Sequence, residues 1–166
     1  MDKFVDVKDT SKTIEIILPS EEQFKIKLMN TLGDSYFIVK SQDKYLSIDF
    51  CIINRKNLKV VYLEHKQRKC NQNTYPSTII NYCKLESFSR NYKNAIMVWS
   101  YNDNDKFLVY SKDLLDLPQK DCKNQAVVYL KNDMLKNGYD NLISTIKHKL
   151  KWLIIIVEFS KNKIYL

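Results

Sequence analysis

Between Tyr45 and Gln67 two runs of strand-forming residues, YLSIDFCII (45–53) and LKVVYLEHKQ (58–67), follow one another across a polar NRKN, and charged residues interrupt both. Valine, isoleucine, tyrosine and phenylalanine at this density belong in a pleated, largely buried sheet. A carboxylate or ammonium at such a position is costly unless it is paired, hydrogen-bonded or bound to a metal. Asp49, Glu64 and Lys66 therefore limit the folds open to the chain more than any other feature. A hairpin built from these runs must give each of them a partner.

Side chains alternate along a strand, so Glu64 and Lys66 leave one face while His65 and Gln67 leave the other. The direction of Asp49 follows from the turn. With a turn centred on Arg55 and Lys56, Asn54 lies opposite Asn57, Ile53 opposite Leu58 and Asp49 opposite Tyr62. Asp49 is then the diagonal neighbour of Glu64, at about 7–8 Å between Cα atoms. A three-residue turn shifts the register by one and sends Asp49 to the opposite face. In the even register two carboxylates converge and repel unless a cation lies between them, and oxygen ligands of this kind suit Mg²⁺ or Mn²⁺. A hard divalent ion beside an ammonium suits phosphodiester hydrolysis, with the metal as Lewis acid and Lys66 orienting a water or steadying developing negative charge. The competing reading is an Asp49–Lys66 ion pair on a half-exposed sheet face. An acid two residues before a lysine also occurs at Asp6 and at Asp121, but only Glu64 follows a strand that carries an isolated acid of its own.

Charge bears on the partner: 27 Lys and Arg against 19 Asp and Glu leave a net +8, which favours polyanions such as nucleic acid, although a solvated basic surface gives the same balance. Four cysteines form no CxxC pair and only two histidines are present, so spacing assembles neither a zinc ribbon nor a finger. Cys51 lies in an apolar strand with no histidine near it in sequence, which gives no support to a nucleophilic thiol. The N-terminus has no apolar signal core. The longest apolar run, WLIIIVEF (152–159), is far shorter than the roughly 20 residues of a membrane helix and reads as a buried strand. An intracellular location, cytoplasmic or nuclear, and no membrane partner are the expectations.

A chain of 166 residues suits one domain, 1–166, with its own core. FVDVKDTSKTIEIIL reads as an N-terminal hairpin. A helix is predicted over PSEEQFKIKLMNTLGD, with Ser20 and Gln23 as a capping box, Phe24, Leu28 and Leu32 inward and Gly33 as the stop. Tyr36–Val39 and the two opening runs supply three strands. Pro76 opens a second predicted helix through STIINYCKLESFSRNY, with Ile79, Tyr82 and Cys83 on one side. AIMVWSY, KFLVYS and QAVVYL read as strands, residues 112–124 as loop, and YDNLISTIKHKLK as a helix with Leu142, Ile143, Ile146 and Leu150 inward. The expected class is α/β, a central mixed sheet flanked by helices.

From Ser20 to Tyr101 this order, with Asp49 as first acid, Glu64 as second, Lys66 as the lysine and 14 residues between the acids, resembles the PD-(D/E)XK nuclease superfamily. That superfamily's core is a helix, a three-stranded meander carrying the acid and then acid-x-Lys, a second helix and a further strand. Ile48 stands where the name-giving pattern has proline. The resemblance implies a restriction-endonuclease-like core, catalytic Asp49, Glu64 and Lys66, and Mg²⁺ or Mn²⁺ on Asp49 and Glu64. It also implies a possible acid from the first helix, where Glu22 is preferred to Glu21. Binding candidates are Arg55, Lys56, Arg68 and Lys69 for phosphates and Tyr82 for stacking on a base, with Tyr75, Trp99 and the lysines of 147–152 behind them. Gln67 and His65, facing away, read as structural.

The expected activity is a divalent-metal-dependent endonuclease acting on DNA, in a homodimer where both strands are cut; restriction, repair and viral genome processing all fit. RNA cleavage at the same metal site is the alternative within enzymes. A non-catalytic nucleic-acid-binding module of the same fold is the alternative outside them.

Overall fold

Both opening runs form strands, and the second becomes the middle of a sheet. The computed structural model of the chain describes residues 8–10, 13–15, 20–41, 48–92 and 94–151. β1 (Lys8–Thr10) and β2 (Thr13–Glu15) pair antiparallel, as the N-terminal hairpin predicts. Then come α1 (Ser20–Leu32), β3 (Tyr36–Lys40), β4 (Phe50–Asn54) and β5 (Val60–Gln67). They are followed by β6 (Ser77–Asn81), α2 (Tyr82–Asn91), β7 (Ala95–Ser100) and β8 (Asp105–Val109). The described chain ends with β9 (Gln119–Cys122), β10 (Gln125–Lys131), β11 (Lys136–Asn137) and α3 (Tyr139–Lys149). The expected strand over WLIIIVEF and the start of the first run, Tyr45–Ser47, lie outside the described residues.

Six strands form the central sheet in the order β11-β8-β7-β5-β4-β3. β5 and β7 are parallel, and the other neighbours are antiparallel, so the sheet is mixed. Helices flank it, giving an α/β protein. On one face Phe24, Leu28 and Leu32 of α1 and Leu142, Ile143 and Ile146 of α3 pack on Phe50, Ile52, Val61 and Leu63. On the other, Leu85 and Phe88 of α2 pack on Met97, Trp99 and Leu108, together with Ile80, Val128 and Leu130 of a second sheet ordered β6-β10-β9. β7 serves both faces, which is why its sequence AIMVW is apolar without alternation. No helix among the described residues is long and apolar enough to cross a membrane.

Three expectations need correction. Ser77–Asn81 is a strand and α2 begins only at Tyr82, because the β-branched Thr78-Ile79-Ile80 pairs with β10 and alternates buried and exposed. Residues 112–124 are not all loop: they hold a 3-10 turn, Lys112–Asp116, and β9. The β4–β5 turn is longer than two residues. The Asn54 N–H donates to the Lys59 carbonyl at 3.0 Å, and Leu58 closes a four-residue loop with φ 59. Within it Asn54 Oδ1 accepts from the Lys56 N–H and Asn57 Oδ1 from the Lys59 N–H, each at 2.9 Å. Asparagine side chains that bond the backbone two residues on stabilise such loops.

Candidate active site

The longer loop moves the register by two residues, which preserves the face of every side chain. Ile53 lies opposite Val60 and Phe50 opposite Leu63, so continuing the ladder sets Asp49 against Glu64 itself instead of Tyr62. Regular pairing stops there. Asp49 sits at a bend, its N–H donates to the Leu63 carbonyl at 2.9 Å, and its own carbonyl accepts from Ser41 at 2.7 Å. Two residues of one strand facing Leu63 make a bulge-like break, the kind of irregularity that re-aims a side chain. Asp49 turns toward β5, where its Oδ2 accepts the His65 N–H at 2.7 Å.

Glu64 is only 5% exposed. Its Oε1 is ion-paired with the Lys84 ammonium from α2 and lies 3.4 Å from the Lys66 ammonium. Burial, and then repulsion from Glu64, push the Asp49 acid up to about 6; the His65 N–H and the Lys66 ammonium act in the opposite direction, and a hydrogen bond with Glu64 favours the protonated form. Two acids and two amines thus meet on the α2 face of the sheet. Beside them opens a cavity of about 300 Å³ lined by Glu64, Lys66, Arg68, Asn81, Lys84 and Trp99. Trp99, 2% exposed, is a wall of this cavity and not a free stacking surface.

Carboxylates held in mutual repulsion fit what Mg²⁺ or Mn²⁺ takes from a protein, one or two acids with water completing the shell. Among the described residues no three His, Cys, Asp or Glu side chains come together as metal ligands. Asp49 and Glu64 are brought together, and Glu22 is not grouped with them. Glu22 is half-buried in the first turn of α1, while Glu21 pairs with Lys40 at 3.5 Å.

The phosphate candidates divide. Arg68 lines the cavity and Lys69 follows it, exposed. Arg55 and Lys56 sit at the far end of the hairpin, at least about 17 Å from Asp49 at the rise of an extended strand. The Arg55 guanidinium lies 3.4 Å from the centroid of the Phe37 ring. Tyr82 is half-buried, its hydroxyl donating to the Leu115 carbonyl at 3.4 Å. His65 faces away, as its alternation predicts. It stacks on Phe24 with ring centroids 4.0 Å apart, shares a 2.9 Å hydrogen bond with the Ser100 hydroxyl, and burial lowers its pKa to about 4. Gln67 likewise bonds the Ser100 carbonyl at 3.1 Å. Burial raises the Cys51 thiol, which argues against a thiolate nucleophile.

Lys84 is absent from the candidates read in the sequence. Its signal is its spacing: it precedes Phe88 by four and adjoins Leu85, so it lies at the border of the buried stripe of α2. Reading α2 from Pro76 hid that stripe. A scan of protein-family models and a search of curated proteins find no match to the chain.

Proposed function

We propose that the chain is a Mg²⁺- or Mn²⁺-dependent endonuclease of PD-(D/E)XK type that hydrolyses phosphodiester bonds of DNA. The observation that carries this reading is the convergence of Asp49 and Glu64 beside Lys66, the latter two lining an open cavity, in a chain of net charge +8. The element order α1, β3-β4-β5, α2, β7 also supports it, since it repeats the helix, meander, helix and strand of a restriction-endonuclease-like core, with β6 inserted.

The chemistry a divalent cation supplies here is Lewis acidity toward a phosphoryl oxygen and a lower pKa for water. Asp49 and Glu64 would hold the cation. The Asp49 carboxylate is fixed for this by the His65 N–H. Lys66, half-exposed at the cavity, orients the attacking water or steadies the charge on the phosphate. Water adds to phosphorus as the bond to the departing sugar oxygen breaks; one proton passes to solvent and the leaving oxygen gains one. Cutting both strands of a duplex calls for two copies of the chain. DNA is favoured over RNA on the resemblance alone.

One observation favours a second reading, a nucleic-acid-binding module without catalysis: Lys84 and Lys66 already neutralise Glu64. Incubation of supercoiled plasmid and labelled oligonucleotides with Mn²⁺, with EDTA, and with the Glu64→Ala protein separates the two. Metal-dependent cutting that vanishes in Glu64→Ala supports the nuclease. Cutting that persists in the variant would falsify the site.

A further inference from the structure

Next to the carboxylate cavity lies a second one, about 360 Å³, which shares Arg68 and Ile79 with the first. Its walls include Tyr75, Tyr101, Tyr129 and Pro76. We propose that this cleft takes unpaired bases flanking the phosphate held at Asp49 and Glu64, so that the substrate is single-stranded or locally unpaired DNA. The assignment of the neighbouring phosphate rests on the nuclease reading; the binding of bases does not.

Alternation on the small sheet turns Tyr129 outward, whereas Tyr101 also packs against the core beneath. Thr78 and Ile80 of β6 and Val128 and Leu130 of β10 point inward, while Ile79 and Tyr129, opposite one another in register, stay 38% exposed. Tyr75 is 65% exposed. The surroundings of these rings are nonetheless fixed. Tyr101 shares a 2.7 Å hydrogen bond with the buried Thr78 hydroxyl, and Asn132 donates to the Tyr75 carbonyl at 3.2 Å. The segment between β5 and β6 is tied to the β7–β8 turn by Gln72 N–H to Asp103 at 2.8 Å and by Asn102 N–H to the Cys70 carbonyl at 3.0 Å. The Tyr101 ring, held in advance by its hydroxyl, spends little ordering entropy on a ligand.

Cations accompany the rings: Lys120 lies 5.2 Å from the Tyr129 centroid, and Arg68 stands where the two cavities meet. Aromatic faces interleaved with basic groups suit a single strand, whose bases stack on rings while its phosphates follow the charges. A base inside a duplex offers only its edges, because its faces are covered by its neighbours. The tyrosines would therefore discriminate in favour of unpaired strands.

Fluorescence anisotropy with a labelled oligothymidylate and a blunt duplex of equal length, both in EDTA, tests this without cleavage. Tyr75→Ala and Tyr129→Ala should each weaken oligothymidylate binding about tenfold and leave duplex binding within about twofold, and Tyr129→Phe should restore the single-strand affinity. Variants that keep the wild-type circular dichroism and melting temperature yet bind oligothymidylate normally would overturn the proposal. Equal losses on single strand and duplex would overturn it too. A Mn²⁺ cleavage assay in parallel keeps the two readings apart. Absent cutting with intact tyrosine effects defeats the nuclease and leaves the cleft standing, whereas cutting with inert tyrosine variants does the reverse.

Discussion

Asp49 and His65 are adjacent in space, joined through the His65 N–H, yet burial drives their acidities in opposite directions. Asp49 is raised to about 6, so between pH 4 and 6 the folded state holds a proton the unfolded chain has released, and stability falls as pH rises. His65 is lowered to about 4, so across about 4 to 6.5 the folded state lacks a proton the unfolded chain keeps, and stability rises with pH. The two slopes offset one another in the metal-free protein. Asp49→Asn should expose the His65 slope alone, seen in urea unfolding as stability that climbs from pH 4 to 6.5; a flat profile in that variant would refute the account. Lys84→Ala should cost about 3 kcal/mol by leaving Glu64 with one cation fewer and should tighten Mn²⁺ binding in calorimetry, because a competing charge is gone. Lys66→Ala should cut turnover by about 10²–10³ while changing Mn²⁺ affinity much less. The two acids were legible in the sequence because charge inside an apolar run is conspicuous. Lys84 was not, because a lysine on a helix reads as solvated surface until the partner beneath it is known.

The β4–β5 loop is two residues longer than alternation alone suggests, and an even change in length keeps Asp49 on the face of Glu64. Asn54 and Asn57 both donate to the Leu150 carbonyl, at 2.9 and 2.8 Å, and Lys59 reaches the Lys151 carbonyl at 2.8 Å. The four-residue loop therefore also answers the end of α3, whose last carbonyls have no partner within the helix. Nothing local to NRKN announces that contact, since its other half lies over 90 residues away. Asn54→Ala removes a loop bond and this long-range one together, and should cost about 2 kcal/mol in urea denaturation, against about 1 for Asn57→Ser. The sequence of β6 misleads for a related reason. Pro76 and the spacing of Ile79, Tyr82 and Cys83 suit a helix, and only the pairing with β10 makes Ser77–Asn81 a strand.

Across the whole molecule, two layers of helices and a small sheet close over opposite faces of one central sheet, an arrangement implied by an apolar run without alternation at Ala95–Ser100. The α/β class could be read from the order of patterns. The three-stranded side sheet could not, because its members are scattered from Ser77 to Lys131. Phe88→Ala, a fully buried ring under α2, should cost about 3–5 kcal/mol and lower one calorimetric peak without splitting it. β7 gives Ile96 and Val98 to one core and Met97 and Trp99 to the other. A single peptide segment thus belongs to both halves at once, like a beam shared by two rooms. Pressure applied in either room is borne in the other, so an oligonucleotide bound over the cavity that Trp99 walls should slow amide exchange in the helix of Leu142 and Ile146, which it never touches.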